Sequence, residues 1–258
     1  MKLQKILLLV IIATFSLPSM ADEAKIGFTT GLDYSSGNYG LTESTDIMYV
    51  PFTGKYEYGR WLAKVTVPWI QIDGPGGATG GESKILIQNN VNKHSRESGL
   101  GDIVTSITYT ALQSDAQKFF LDVGAKVKFG SASAAKGLGT GSNDYSLQAD
   151  AYKTFDQLTV LGTLGYKRIG NPKSLDYRLD NVWFGTLGAA YRINASNSAG
   201  LLIDLRQAAW HYNTSIREYT VYYTHRFNPT YNLQTYMSAG DTKSSVDFGL
   251  GLMLGVSW

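Results

Sequence analysis

Val246-Asp247-Phe248-Gly249-Leu250-Gly251-Leu252-Met253-Leu254-Gly255-Val256-Ser257-Trp258 closes the chain, and its reading decides the fold. Val246, Phe248, Leu250, Leu252, Leu254, Val256 and Trp258 share one parity. Asp247, Gly249, Gly251, Met253, Gly255 and Ser257 share the other. A period of two sends successive side chains to opposite faces of a β-strand. One face of this strand is therefore large and apolar, and the other is small or polar.

Working outward, Lys118–Phe129 repeats the design. Phe119, Leu121, Val123, Ala125, Val127 and Phe129 face one way, and Lys118, Asp122, Gly124, Lys126 and Lys128 the other, with Phe120 the exception. Ten further segments alternate similarly, near 25–34, 46–56, 61–72, 100–112, 144–155, 158–169, 182–193, 199–210, 216–227 and 231–240. That predicts about twelve strands, an even number such as single-chain bacterial barrels have. After residue 21 no stretch sustains apolar residues at i, i+3, i+4 and i+7, so helices are not expected. The connections alternate short (57–60, 113–117, 156–157, 194–198, 228–230) and longer (35–45, 73–99, 130–143, 170–181), with short ones again near 211–215 and 241–245. Short periplasmic turns and longer extracellular loops are the habit of outer-membrane barrels.

The apolar parity faces lipid in this reading. Phe119 and Phe129 bracket one strand and Phe248 and Trp258 another, ten residues apart. Ten residues at about 3.3 Å each, tilted by about 40°, rise roughly 25 Å, the height of an apolar band flanked by aromatic girdles. Trp61 and Trp69 bracket a third strand, and Tyr34, Tyr109, Tyr145, Tyr166, Trp183, Tyr191, Tyr223, Phe227 and Tyr231 fall near strand ends on the same parity. The other parity carries Asp33, Lys55, Lys64, Asp102, Asp122, Lys126, Lys128, Asp150, Lys167, Arg192, Asp204, Arg206, Glu218, Arg226 and Asp247. A dry core holding so many charges is costly, whereas a wet lumen holds them cheaply. The expected architecture is an all-β, antiparallel, up-and-down transmembrane barrel in the bacterial outer membrane, with the lipid bilayer as its partner.

The N-terminus agrees. Lys2 and Lys5 precede an apolar run, Ile6–Phe15, and Ser19-Met20-Ala21 ends in small residues. This pattern predicts a signal peptide over residues 1–21, cleaved before Asp22, and a barrel over 22–258. The run is too short to anchor comfortably across a bilayer. Its removal takes two lysines and leaves 21 Lys+Arg against 21 Asp+Glu, so the mature chain is formally neutral. Nucleic acid, which calls for a basic excess, is not expected as a partner. With no cysteine, neither disulfides nor thiolate metal sites are available, and no cofactor or metal is expected.

Three stretches carry a family resemblance: Ser98-Gly99-Leu100-Gly101-Asp102, opening a strand after a long loop; Val123-Gly124-Ala125-Lys126-Val127-Lys128-Phe129-Gly130; and Gly139-Thr140-Gly141-Ser142-Asn143-Asp144-Tyr145. In these the chain resembles the outer-membrane transporter family named for the MetA pathway of phenol degradation. Phe129 stands where its members more often carry proline. The resemblance implies a barrel that moves small compounds, often hydrophobic or aromatic. Trp258 likewise resembles the terminal aromatic by which the assembly machinery recognises outer-membrane proteins, usually phenylalanine.

Chemistry elsewhere is weak. His225 lies on the lipid-facing parity between Tyr223 and Phe227, and reads as a belt residue. His211 is in a short loop beside Asn213 and Ser215, a poor place to hold a nucleophile and its base for lipid hydrolysis. Gly137–Gly141 lacks the strand-then-helix setting of a phosphate loop, and Asp73–Gly77 lacks calcium-ligand spacing and reads as a turn. The long connection 73–99, with Ile85-Leu86-Ile87, is expected either to fold into the mouth and gate it or to lie free on the surface. The lumen remains as the best candidate site: Lys126, Lys128, Asp122, Asp150, Arg192, Asp204, Arg206, Glu218, Tyr222 and Tyr236, with Lys126 and Lys128 near Asp150 and Arg206 near Glu218. Tyr49 and Tyr152 share its parity. A twelve-stranded lumen falls between the filled and the open sizes. Passive uptake of a small solute is the leading expectation. The alternatives are a plugged structural or surface-interaction barrel and, behind it, a lipid hydrolase at the rim.

Overall fold

Tight turns set the hairpins at one end. Gly59-Arg60 joins the pair Tyr58↔Trp61, and Asp156-Gln157 joins Phe155↔Leu158. Gly59 (φ 55°) and Asp156 (φ 50°) both take the left-handed conformation that two-residue hairpin turns demand, tolerated best by Gly, Asn and Asp. The computed structural model describes residues 24–75, 94–171, 178–211 and 213–258. The expected signal peptide and Ile85-Leu86-Ile87 lie outside them.

Thirteen strands follow in chain order: β1 (Lys25–Gly37), β2 (Thr45–Tyr58), β3 (Trp61–Pro75), β4 (His94–Leu100), β5 (Val104–Ser114), β6 (Phe119–Lys128), β7 (Asp144–Phe155), β8 (Leu158–Arg168), β9 (Val182–Arg192), β10 (Asn197–Arg206), β11 (Ile216–Arg226), β12 (Tyr231–Gly240) and β13 (Phe248–Ser257). Neighbours pair antiparallel, β13 returns to β1, and β2 to β3, so the sheet closes on itself. β4 and β5 lie along successive lengths of one partner: β4 pairs Trp69–Pro75 and β5 pairs Trp61–Thr66 of β3. They occupy a single position, so the barrel has twelve. Closure leaves only the short β4 paired on a single side, and full pairing of the crossing strands is the condition for a sheet to span a bilayer. Among the described residues no helix is long and apolar enough to cross, which says nothing about strands.

The break between β4 and β5 corrects the reading of Ser98–Asp102 as the opening of one strand. The Gly101 amide donates to the Pro68 carbonyl (2.8 Å), and the Phe129 amide to the Ile103 carbonyl (2.8 Å), which stitch the seam closed. Asp73-Gly74-Pro75, expected as a turn, is strand: it pairs Arg96, Ser95 and His94.

The faces follow parity. Leu147, Leu164, Val221 and Leu187 are 60–68% exposed on the outer wall. In water each would forgo roughly 1.5–3 kcal/mol of burial, a loss that lipid abolishes. Trp61 stacks on Tyr109 (ring centroids 4.7 Å apart) at the short-turn end, and Tyr166 on Trp183 (5.1 Å) at the long-loop end, one pair in each girdle. Parity fails at one place in the closing segment. Val246 is fully buried and Asp247 exposed, the reverse of the expectation, because β13 begins only at Phe248. The Asp247 amide donates to the Ser36 carbonyl (2.9 Å), and its carboxylate accepts from the Asn38 amide (3.2 Å) at the rim.

Candidate functional site

Strand stagger makes each hydrogen-bond row wind around the lumen. One row runs Lys55↔Lys64↔Ser106↔Lys126↔Ser146↔Lys167, from β2 through β3, β5, β6 and β7 to β8. A second, four residues away on β6, runs Asp122↔Asp150↔Thr163↔Thr186↔Asp204↔Glu218, from β6 to β11. The sequence thus folds into a lysine stripe and a carboxylate stripe wound side by side. Lys64, Lys126 and Asp150 are all buried in the lumen. Thr163 Oγ1 donates to Asp150 Oδ1 (2.6 Å), and Gln148 Nε2 to Asp150 Oδ2 (2.8 Å). Thr186 Oγ1 donates in the same manner to Asp204 Oδ1 (2.6 Å). Cross-strand threonines thus hold the carboxylates by neutral donors and leave the lysines to balance the charge.

The other wall is apolar. Tyr152, Leu161, Ala190, Leu202, Tyr222, Tyr236 and Met253 form a buried belt from β7 to β13, with Phe120 of β6 packed against it. Phe120, out of pattern in the sequence reading, is therefore a lumen residue. Glycines opposite make room. A methyl group added to Gly251 would come within 2.0 Å of the Tyr236 ring, and one on Gly200 within 2.5 Å of Tyr222. Each ring lies flat in the notch left by a missing side chain. The Tyr236 hydroxyl donates to Asp33 of β1, across the seam that closes the barrel. Tyr222, Tyr236, Tyr152 and Tyr49 are all 5% exposed or less, so the interior at this height is closely filled.

All ten proposed lumen residues lie on the inward parity, but not all keep the expected neighbours. Lys128 does not turn to Asp150. It reaches Asp102 (2.9 Å) and Asp144 (3.4 Å), with all three side chains at most 3% exposed, and also donates to Thr140 Oγ1 (3.1 Å). Arg206 and Glu218 are diagonal neighbours on β10 and β11, and Glu218 accepts from the Val246 amide (3.2 Å). Arg192 lies at the short-turn rim and donates to the Asp156 carbonyl (3.0 Å). Sequence reasoning left Lys64, Asp33, Asp144 and Thr140 out of the site. Parity marks the first two, and the third motif contains the others.

At the long-loop mouth, chain packs into the barrel. Leu138 and Ala132, from the segment 129–143 with its single 3-10 turn Ala134–Lys136, are buried against Tyr39, Ile47, Tyr49, Ile70, Ile72 and Val246. Asp102 anchors this segment: Oδ1 accepts from the Ala132 amide (2.9 Å) while Oδ2 binds Lys128. The expected gate, 73–99, is described only at its ends, where 94–100 is β4. Its His94 meets Asp73 (2.6 Å).

The rim histidines are placed as their parity suggested. His225 contacts Asn197 Oδ1 (2.7 Å) and packs edge-on against Phe227 (4.6 Å); His211 is exposed beside Trp210. Among the described residues no serine or threonine hydroxyl bonds His225, and no group of acidic residues and histidines is arranged for a metal.

Comparison with known proteins agrees with this architecture. An outer membrane channel from Pseudomonas putida F1 is similar in fold, with a TM-score of 0.67 at 13% identity over 95% of this chain and 100% of that one. The KdgM porin (TM-score 0.50, 10% identity, 91% and 98% covered) and the beta domain of the Bordetella autotransporter BrkA (0.50, 12%, 92% and 100%) are similar too. No curated protein matches significantly in sequence. The barrel belongs in the bacterial outer membrane. The family model for the putative MetA-pathway of phenol degradation matches residues 28–208, a span that takes in all three motifs around Asp102, Lys128 and Asp144, and the chain belongs to that family.

Proposed function

We propose that this protein is an outer-membrane channel for passive uptake of small solutes, hydrophobic or aromatic ones among them. The observation that carries this reading is the two-walled lumen, in which a belt of tyrosines, leucine and methionine faces a wall of balanced charge. Aromatic faces attract aromatic solutes by offset stacking, and the charged wall supplies polar contacts to a hydroxyl or carboxylate. Lys126, Lys128, Asp122, Asp150, Arg192, Asp204, Arg206, Glu218, Tyr222 and Tyr236 line the path. The family name, with its reference to phenol degradation, supports the same solute class. The protein is no enzyme in this reading and uses no cofactor. Export follows cleavage before Asp22. Trp258, whose amide and carbonyl both pair with Ile26 (2.9 Å each), is the assembly signal.

Single-channel recording in a planar bilayer, with and without phenols and small aromatic acids, tests the proposal. Small, stable conductance steps that these solutes block are expected. A second reading, a plugged structural barrel, is favoured by the burial of Tyr222, Leu202 and Gln234 in the lumen. Folded, heat-modifiable protein without conductance under any condition would establish it instead.

A further inference from the structure

The three motifs that mark the family lie far apart in sequence yet meet at one place. Asp102 ends the first, Lys128 lies in the second, and Thr140 and Asp144 lie in the third. Lys128 Nζ binds Asp102, Thr140 and Asp144 together. Thr140 belongs to the segment packed at the mouth, whereas Lys128, at the end of β6, and Asp144, at the start of β7, belong to the wall. Asp102 sits in the seam between β4 and β5 and binds the same segment through the Ala132 amide. Gly139 passes so close that a methyl group there would lie 2.7 Å from both the Asp102 carboxylate and Ala132. The segment's apolar tip is Leu138, 1% exposed.

We propose that residues 130–143 are the gate of this barrel, with Asp102, Lys128 and Asp144 as the latch that holds the gate shut. This rests on the channel reading above. The segment has the make-up of a movable part. Two apolar side chains, Ala132 and Leu138, seat it, its remainder is Gly, Ser, Ala, Thr, Asn and one Lys, and its outer contact is an exposed pair, Lys136 with Glu97 (3.9 Å). Two charge-assisted hydrogen bonds hold it to the latch, Lys128 to Thr140 and the Ala132 amide to Asp102, beside a neutral one from the Ile103 amide to Ser131 Oγ (2.9 Å); the charged pair is strong while intact and is lost together. Buried charges whose partners separate must be rehydrated, so latch and seat release as a unit.

The cysteine-free chain gives a direct test. Leu138→Cys reports the segment's position by its reaction with a membrane-impermeant maleimide, and conductance reports the path. In the otherwise native barrel the thiol is protected. Asp102→Asn is expected to raise labelling at least tenfold and conductance several-fold. Gly139→Ala, which pushes the segment off Asp102 without altering the wall, is expected to do the same and serves if Asp102→Asn does not fold. Protection unchanged in both variants overturns the latch. Labelling that rises while conductance stays unchanged overturns the gate. Deletion of 132–140 separates the two ideas: a conducting deletion barrel keeps the channel reading even when the latch fails, and a silent one overturns both.

Discussion

The two walls of the lumen solve the same problem, filling a twelve-position barrel, by different physics. In the two stripes, which wind from β2 to β11, the occupants are charged, and threonines one strand away hold Asp150 and Asp204. In the belt from β7 to β13 they are tyrosines, leucines and methionine, with Tyr222 and Tyr236 held by shape against glycines. Electrostatic attraction falls off slowly with distance, so a charged side chain that shifts slightly keeps most of its energy. Packing contacts are lost within an ångström. The charged wall therefore tolerates change in shape but not in charge, and the aromatic wall the reverse.

The largest effect is expected where shape is violated. Gly251→Ala places a methyl group 2.0 Å from the Tyr236 ring and expels it from its notch, breaking the bond to Asp33. Overpacking of this kind costs about 1–3 kcal/mol. The urea midpoint of the barrel in lipid vesicles should fall accordingly, and Tyr236→Ala in the same chain should restore part of the loss. If Gly251→Ala leaves the midpoint unchanged, the notch is not what positions the ring.

A middle effect, of another kind, is expected where charge is changed at constant shape. Asp150→Asn keeps an oxygen for the Thr163 hydroxyl and leaves Lys64 and Lys126 with less counter-charge. The midpoint should move by less than about 1 kcal/mol, since the neutral hydrogen bond survives. Reversal potentials in a salt gradient should shift towards anions. A loss of stability as large as that of Gly251→Ala, with selectivity unchanged, would erase the distinction between the walls.

Much of this was legible in the sequence. Period two gave twelve strand positions, and Asp144–Phe155 and Tyr231–Gly240 were placed to the residue. Parity sorted lipid from lumen, and the girdle aromatics followed. β4 was missed because His94–Leu100 lies above the apolar band, where neither face meets lipid, so no alternation is demanded of its polar residues. Val246 was misassigned because the turn after β12 tucks Ser245 and Val246 inward before the strand resumes. Lys128 meets Asp144 because β6 and β7 pair in that register, which the long connection 130–143 leaves unmarked in the sequence. The burial of Ala132 and Leu138 leaves no trace in the sequence, because they stand alone among small residues and generate no period; the gate expected in 73–99 falls mostly outside the described residues.

The smallest effect is expected outside the walls, at the rim. Arg217 Nε donates to Asp241 Oδ1 at 2.7 Å, shorter than the buried Lys128–Asp102 bond (2.9 Å), but both side chains are more than 40% exposed. The Arg217 hydrogen bond holds the Asp241 carboxyl below its ordinary value. A group depressed in the folded state contributes stability above its unfolded value and loses it as pH falls through the folded one. Any contribution is thus present at pH 7 and disappears only in acid below the usual carboxylate range. Exposed pairs are screened by water and salt and hold two long side chains at an entropic cost. Asp241→Asn should therefore leave the urea midpoint unchanged at pH 7, in low salt and high. A clear loss there would mean that hydrogen-bond length rather than burial ranks the polar contacts of this barrel, and the contrast between its walls would have to be redrawn on that basis.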